Sequence, residues 1–159
     1  MKQVRFVEMT DKEFKDYLDF AIQDYADGKI KAGNYSPESG LEGARKEFAN
    51  YLPDGRFTKD QHLFSVVDEV SGESVGMIWF ATNMLNVPNS AFIYDIRIDE
   101  KFQGQGYGTA AMLLLETKVK EFGKEKILLH VFAHNDGARK LYEKLGYVAT
   151  NIMMAKSLK

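Results

Sequence analysis

The stretch FQGQGYG, from Phe102 to Gly108, places glycines at three alternate positions. Between a strand and a helix, such spacing lets backbone N–H groups converge on an anion at the helix N-terminus. A Walker A loop needs a Lys and a Ser/Thr after its last glycine, and here Tyr107, Gly108 and Thr109 follow Gly106. A dinucleotide fingerprint needs G-x-G-x-x-G, and Gly104 and Gly106 are followed by Gly108 and Thr109, out of register. Another anion cradle, or a plain strand-to-helix turn, is left. Asp95 stands amid apolar neighbours. A buried carboxylate there suits a general base, or equally a structural hydrogen-bond acceptor. His130 and His134 are four apart, but HVFAH reads as a strand end, which does not bring the two together. With no third ligand evident, no metal site is expected.

The rest of the composition narrows the chemistry. There is no Cys, which removes disulfides, thiolate nucleophiles and Cys-ligated metals together. No Ser in a nucleophile elbow accompanies the three His to make a triad. A formal net charge of -2 gives no argument for nucleic acid or an anionic membrane as partner. The N-terminus, MKQVRFVEMT, lacks an apolar h-region, and no apolar run reaches the ~18 residues of a spanning helix. The cytoplasm is therefore the expected location. The 159 residues, without repeat or linker, read as one domain over 1–159.

The elements that must position these residues follow from periodicity. QVRFVEM reads as an opening strand, and Thr10 with Glu13 as a capping box. Phe14, Tyr17, Leu18, Ala21, Ile22 and Tyr25 then form a helical stripe, and Gly28 and Gly33 loosen the chain after it. Ser36–Pro37 is expected to open a second helix with Leu41, Ala44, Phe48 and Leu52 inward, stopped by Pro53–Gly55. HLFSVVDE and SVGMIWFAT form a hairpin, NMLNVPNS a loop, and AFIYDIRID a strand with little polar alternation. A helix follows the glycines, with Met112, Leu115, Val119 and Phe122 on one face. KILLHVFA is a further strand, and from Asn135 a short helix carries Ala138, Leu141, Tyr142 and Leu145. Extended structure over YVATNIMMAKSL is expected to close the order. Hairpins early and one strand–helix–strand crossover later give a mixed α/β (α+β) sheet.

Two motifs then converge. Gln103, Gly106 and Gly108 match Q/R-x-x-G-x-G/A, and HVFAHNDGARKLYEKLGY follows one helix and one strand later. Together they resemble the GNAT superfamily of acyl-CoA N-acyltransferases. At motif level the resemblance spans roughly Ala91 to Tyr147. It implies a GNAT fold: a mixed, mostly antiparallel sheet with a central splayed parallel strand pair, flanked by about four helices.

The resemblance also implies roles. Acyl-CoA would lie in a V between strands Phe92–Ile98 and Ile127–Phe132, with backbone groups of Ile96, Arg97 and Ile98 along the pantetheine arm. The Ile98 N–H would aim at the thioester carbonyl, where a donor acts on developing charge. Amides of Gln103, Gly104, Gln105, Gly106, Tyr107, Gly108 and Thr109 would hold the pyrophosphate, aided by the helix dipole. Arg139 and Lys144 are either further phosphate contacts or a solvated helix face. Asn135 matches the residue that touches the pantetheine amides and is also an N-cap by type. Tyr142 matches the general acid for the departing thiolate, although by spacing alone it is a core aromatic. The base varies among members. Many carry Glu where this chain has Phe92, so the candidates are Asp95 and Tyr94, with Glu73 and His130 further off. Trp79, Phe80 and the tyrosines 25, 35 and 51 are either acceptor-pocket walls or core.

The implied activity is direct transfer of an acetyl group from acetyl-CoA to a primary amine, with no metal and no covalent enzyme intermediate. The alternatives are a non-catalytic acyl-CoA-binding or sensing module, and transfer of a longer acyl group. A homodimer is an assembly the resemblance allows.

Overall fold

The computed structural model describes residues 1–83 and 86–159. In chain order the elements are β1 (Val4–Glu8), α1 (Asp11–Lys31), α2 (Gly40–Tyr51), β2 (Gln61–Asp68), β3 (Ser74–Ala81), β4 (Ser90–Ile98), α3 (Tyr107–Glu121), β5 (Lys126–Leu129) and α4 (Asp136–Lys144). The strands form one sheet in the order β1-β2-β3-β4-β5. The first three pairings are antiparallel, and β4–β5 is parallel. This is the mixed, mostly antiparallel sheet with one parallel pair that the two motifs imply.

Local chemistry accounts for the boundaries. The capping box forms: Glu13 N–H donates to Thr10 Oγ1 at 3.2 Å, and the Thr10 amide donates back to Glu13 Oε2 at 2.7 Å. Helix α1 does not loosen at Gly28 but runs on to Lys31. A Cβ at Gly28 would lie 2.8 Å from the Phe132 ring, so the glycine makes room for a neighbour. Ser36–Pro37 opens a turn instead of α2. The Ser36 hydroxyl accepts the N–H of Ser39, and the helix begins four residues after Ser36, at Gly40. The loop expected over 83–90 falls partly outside the described residues, at positions 84 and 85, and Ser90 already belongs to β4.

Two apolar layers sandwich the sheet. On one face Ala110, Ala111, Met112, Leu115 and Val119 of α3 pack on Val66, Val75, Ile78, Phe80, Ala91 and Ile93. On the other, Tyr17 and Ala21 of α1 and Phe48 of α2, with Leu52 at its end, pack on Leu63, Met77 and Trp79. Fully burying one such large side chain contributes about 1.5–3 kcal/mol. Phe122, expected with the α3 stripe, caps that helix and is half exposed. The expected final strand is absent: residues 148–159 carry no regular structure. An extended run needs a neighbouring strand for its backbone groups, and none of the five strands pairs with it.

Candidate active site

Strand β4 changes phase in its middle. Trp79 lies opposite Asp95 and Phe80 opposite Ile93, which leaves Tyr94 as the extra residue of a β-bulge. The shift sorts the side chains. Ala91, Ile93, Ile96 and Ile98 all join the α3 face, while Phe92, Tyr94, Asp95 and Arg97 all line the cavity under α1 and α2. A bulge also bends its strand. The parallel partner leaves β4 here, because the last β4–β5 pair is Ile93 with Leu129. Bulge and end of pairing coincide, and the two strands part.

Beyond that point β4 has an open edge. The Asp99 N–H donates to Val75 O of β3 at 3.0 Å. Alternate residues of a strand point to opposite sides, so Ile98 and Ile96 direct N–H and C=O away from β3, toward the gap. Gln103 Nε2 donates to Ile98 O at 2.8 Å, and Gln105 Nε2 to Lys101 O at 2.8 Å, bracing the glycine turn against the strand end. Gly104 and Gly106 hold φ of 71° and 92°, which a side chain would strain. Gly106 is the N-cap of α3. Among the described residues no carbonyl or side chain accepts from the amides of residues 104–109. They form a row of free donors at the positive end of a fifteen-residue helix. The Tyr107 side chain takes no part in that row: it is buried, and its hydroxyl donates to Asp68 Oδ2. Gly108 touches the next element, since a Cβ there would lie 3.2 Å from Leu141 of α4.

A cavity of about 640 Å³ occupies the gap. Asp95, Ile96, Arg97, Asn135 and Tyr142 all line it; Ile98 and residues 103–109 lie outside its lining, past the end of the cleft. Asp95 Oδ2 accepts from Tyr17 OH at 3.0 Å and from Arg97 Nη2 at 3.1 Å. Arg97 Nη2 also reaches Asp24 Oδ2 at 3.3 Å, its guanidinium lies over the Phe20 ring, and its buried Nε has no partner among the described residues. Burial first, then the Asp95 charge, pushes the Tyr17 phenol well above its ordinary value. Tyr17 therefore stays a donor to Asp95.

Tyr142 is half-buried on α4, its phenol pushed up to about 12 by burial and by the charge of Asp95. Asn135 caps that helix, its Oδ1 accepting from Ala138 N–H at 3.3 Å. His130 lines the cavity too; burial, with the Lys29 charge adding to it, lowers its pKa and leaves the ring neutral at pH 7. Phe132 stands between His130 and His134, edge-on to one ring and stacked on the other. Glu73 is absent from the lining and pairs with Lys101 at the far end of the sheet. Arg139 pairs with Glu143 on its own helix. Among the described residues no group of three His, Cys, Asp or Glu is placed to hold a metal.

The opposite wall is aromatic. Tyr94 stacks on Trp79 at 4.4 Å and meets Tyr51 at 4.7 Å and Phe92 at 4.9 Å. Phe80 faces the other layer. Tyr25 and Tyr35 converge on Glu47, which ties α1 to α2 beside the cavity. Tyr17, Asp24 and Glu47 escape the motif-based reading, because only the fold brings the two N-terminal helices over β4. The bulge did leave a signal. The apolar positions 91 and 93 are followed by 96 and 98, a spacing of three within a period of two.

A family model described as the acetyltransferase (GNAT) family matches residues 29–147. The uncharacterized N-acetyltransferase YycN of Bacillus subtilis is 36% identical over 155 residues, covering 98% of this chain and 99% of the relative. YdgE of the same organism, also an uncharacterized N-acetyltransferase, is 33% identical over 151 residues, covering 95% and 96%. The crystal structure of YycN superposes with a TM-score of 0.92 at 35% identity, covering 99% of each chain.

Proposed function

The chain belongs to the acetyltransferase (GNAT) family, and we propose that it transfers an acetyl group from acetyl-CoA directly to a primary amine. The observation that carries this reading is the coincidence on β4 of the bulge at Tyr94, the end of β5 pairing at Ile93, and the free donors beyond Ile98. An extended pantetheine arm fits such an edge as a missing strand would, and a pyrophosphate fits the amides of residues 104–109.

In this reading Ile96 and Ile98 hold the arm through their backbone groups, and the Ile98 N–H donates to the thioester oxygen as negative charge develops on it. Asn135 meets the arm from the start of α4. Asp95 takes the proton of the attacking ammonium, either directly or through a water, using the oxygen that Tyr17 and Arg97 leave free. The amine nitrogen bonds to the acyl carbon, the C–S bond breaks, and Tyr142 gives its proton to the departing sulfur. A thiol titrates near ~8.5, so a phenol near 12 does not protonate it ahead of bond cleavage and acts as charge builds on sulfur. The aromatic wall of Tyr51, Phe92 and Tyr94 takes the body of the acceptor.

Two measurements test the reading. Acetyl-CoA raises the melting temperature of the wild-type protein, and Gly106→Glu, which places a carboxylate at the amide row, abolishes that rise. A panel of primary amines then reports thiol release from acetyl-CoA. Binding without release across a broad panel would leave an acyl-CoA-binding module and remove the transferase.

A further inference from the structure

The segment after α4 is apolar and uncovered. Val148, Ile152, Met153, Met154 and Leu158 are 78–90% exposed. In an extended chain Val148, Thr150, Ile152, Met154, Lys156 and Leu158 share one side. Except for Met153, the residues between them are small or polar: Ala149, Asn151, Ala155 and Ser157. This is the pattern of a strand with one face packed and one face open. Lys156 is the one charged residue from 148 to 158, so burying the run removes little charge from water. The hydrogen bonds its side chains make are to near neighbours in sequence, Asn151 to Thr150 and Ser157 to Lys159.

The same chain has a sheet edge without a neighbour. Strand β5 pairs with β4 on one side and with no other strand of the sheet. Its Ile127, Leu128 and Leu129 are only half-buried, and α4 buries none of its residues fully. An edge of this kind presents unpaired N–H and C=O groups and invites a further strand. Exposed edge and exposed apolar strand are complementary in both hydrogen bonding and hydrophobicity.

We propose that residues 148–158 of one copy add to the free edge of β5 in a second copy, reciprocally, giving a two-fold dimer held by exchanged strands. Within one copy the edge and the segment coexist and are not paired. The reciprocal exchange covers both at once and closes without leaving a free edge that would recruit a third chain. Eleven extended residues span about 36 Å, which is enough to cross to a neighbour. Because β5 is the far wall of the cleft opened at Ile93, the added strand braces that wall from outside.

The full chain in light scattering should show twice its 18.1 kDa mass. The double variant Ile152→Asp, Met154→Asp should halve it, with circular dichroism reporting whether the fold survives. A second arm does not depend on that variant. The protein has no cysteine, so Leu128→Cys can be combined in turn with a cysteine at each position from Thr150 to Met154. After oxidation, a covalent dimer that needs both cysteines supports the exchange. A disulfide within single chains, a monomer throughout the micromolar range, or a dimer untouched by the aspartates overturns it.

Discussion

The Tyr17 hydroxyl on α1 donates to Asp95 Oδ2 on β4 at 3.0 Å, across 78 positions of sequence. Arg97 shares the same oxygen, so the carboxylate is fixed from two sides while its other oxygen faces the cavity. Replacing Asp95 by Asn removes the proposed base and is expected to lower turnover about 10²-fold or more. Tyr17→Phe keeps the carboxylate but removes one charge-assisted hydrogen bond, so stability should fall by about 1.5–3 kcal/mol with a smaller loss of rate. Urea unfolding and initial rates separate the two effects. Full activity in Asp95→Asn would take the base role from this residue and leave His130 as the candidate in the lining.

Gly76 on β3 lies against the backbone of β4. A Cβ there would fall 2.1 Å from the Arg97 carbonyl oxygen, a contact no flexible side chain can relieve. Gly76→Ala must push the two strands apart where Gly76 faces Ile98, the residue assigned to the thioester oxygen. A loss of about 1–3 kcal/mol is expected from overpacking, together with weaker acetyl-CoA binding. Thermal unfolding with and without acetyl-CoA checks both, and an unchanged midpoint would mean that the strand pair yields more easily than its geometry implies.

The fold was legible where local chemistry and periodicity agreed. Thr10 and Glu13, the β2–β3 hairpin and the α3 stripe are short-range patterns, and the structure places them as expected. The V of β4 and β5 was legible only through resemblance, although the 91, 93, 96, 98 spacing encodes its bulge. What escaped depends on contacts distant in sequence. Gly28 reads as a helix breaker until Phe132 is seen to need its space, and Ser36–Pro37 reads as a cap until the Ser36 hydroxyl is found bonded within a turn. At the site, the donors on β4 and α4 follow the motifs, whereas the Tyr17–Asp95–Arg97–Asp24 chain requires α1 to lie across the strand.

Tyr142 must be protonated to act as an acid, and burial with the Asp95 charge pushes its phenol up to about 12. Loss of this acid therefore begins only as the pH rises toward that value, well above the ordinary phenol near ~10. Tyr142→Phe is expected to lower kcat about 10²-fold or more while the melting shift with acetyl-CoA persists. The pH profile supplies an independent check. A basic limb centred near pH 10 that disappears in Tyr142→Phe would mean that the phenol is not held in the buried, Asp95-facing position.

Glu47 gives the acid side of the stability profile. Burial works to raise its carboxyl, and hydrogen bonds from Tyr35 and Tyr25 outweigh that, leaving its pKa below the ordinary carboxylate value of 4.5. A lowered folded-state value means that the native state binds the proton less readily than the unfolded chain. The stabilisation is then fully present above the unfolded value and is lost as pH falls through the folded one. Glu47→Gln should lower the urea midpoint by a constant amount from about pH 7 down to about pH 5, and the gap from wild type should narrow below about pH 4.5. On the alkaline side Tyr35, held at about 12 mainly by its bond to Glu47, acts with the opposite sign. Its contribution is present below the ordinary phenol value and fades as pH rises through 12. Because Glu47 joins α1 to α2 beside Tyr51, the same variant should also weaken amine binding, read as a raised KM for the acceptor with the acetyl-CoA melting shift retained. A gap between wild type and Glu47→Gln that stays constant down to about pH 3 would assign the acid sensitivity to other carboxylates.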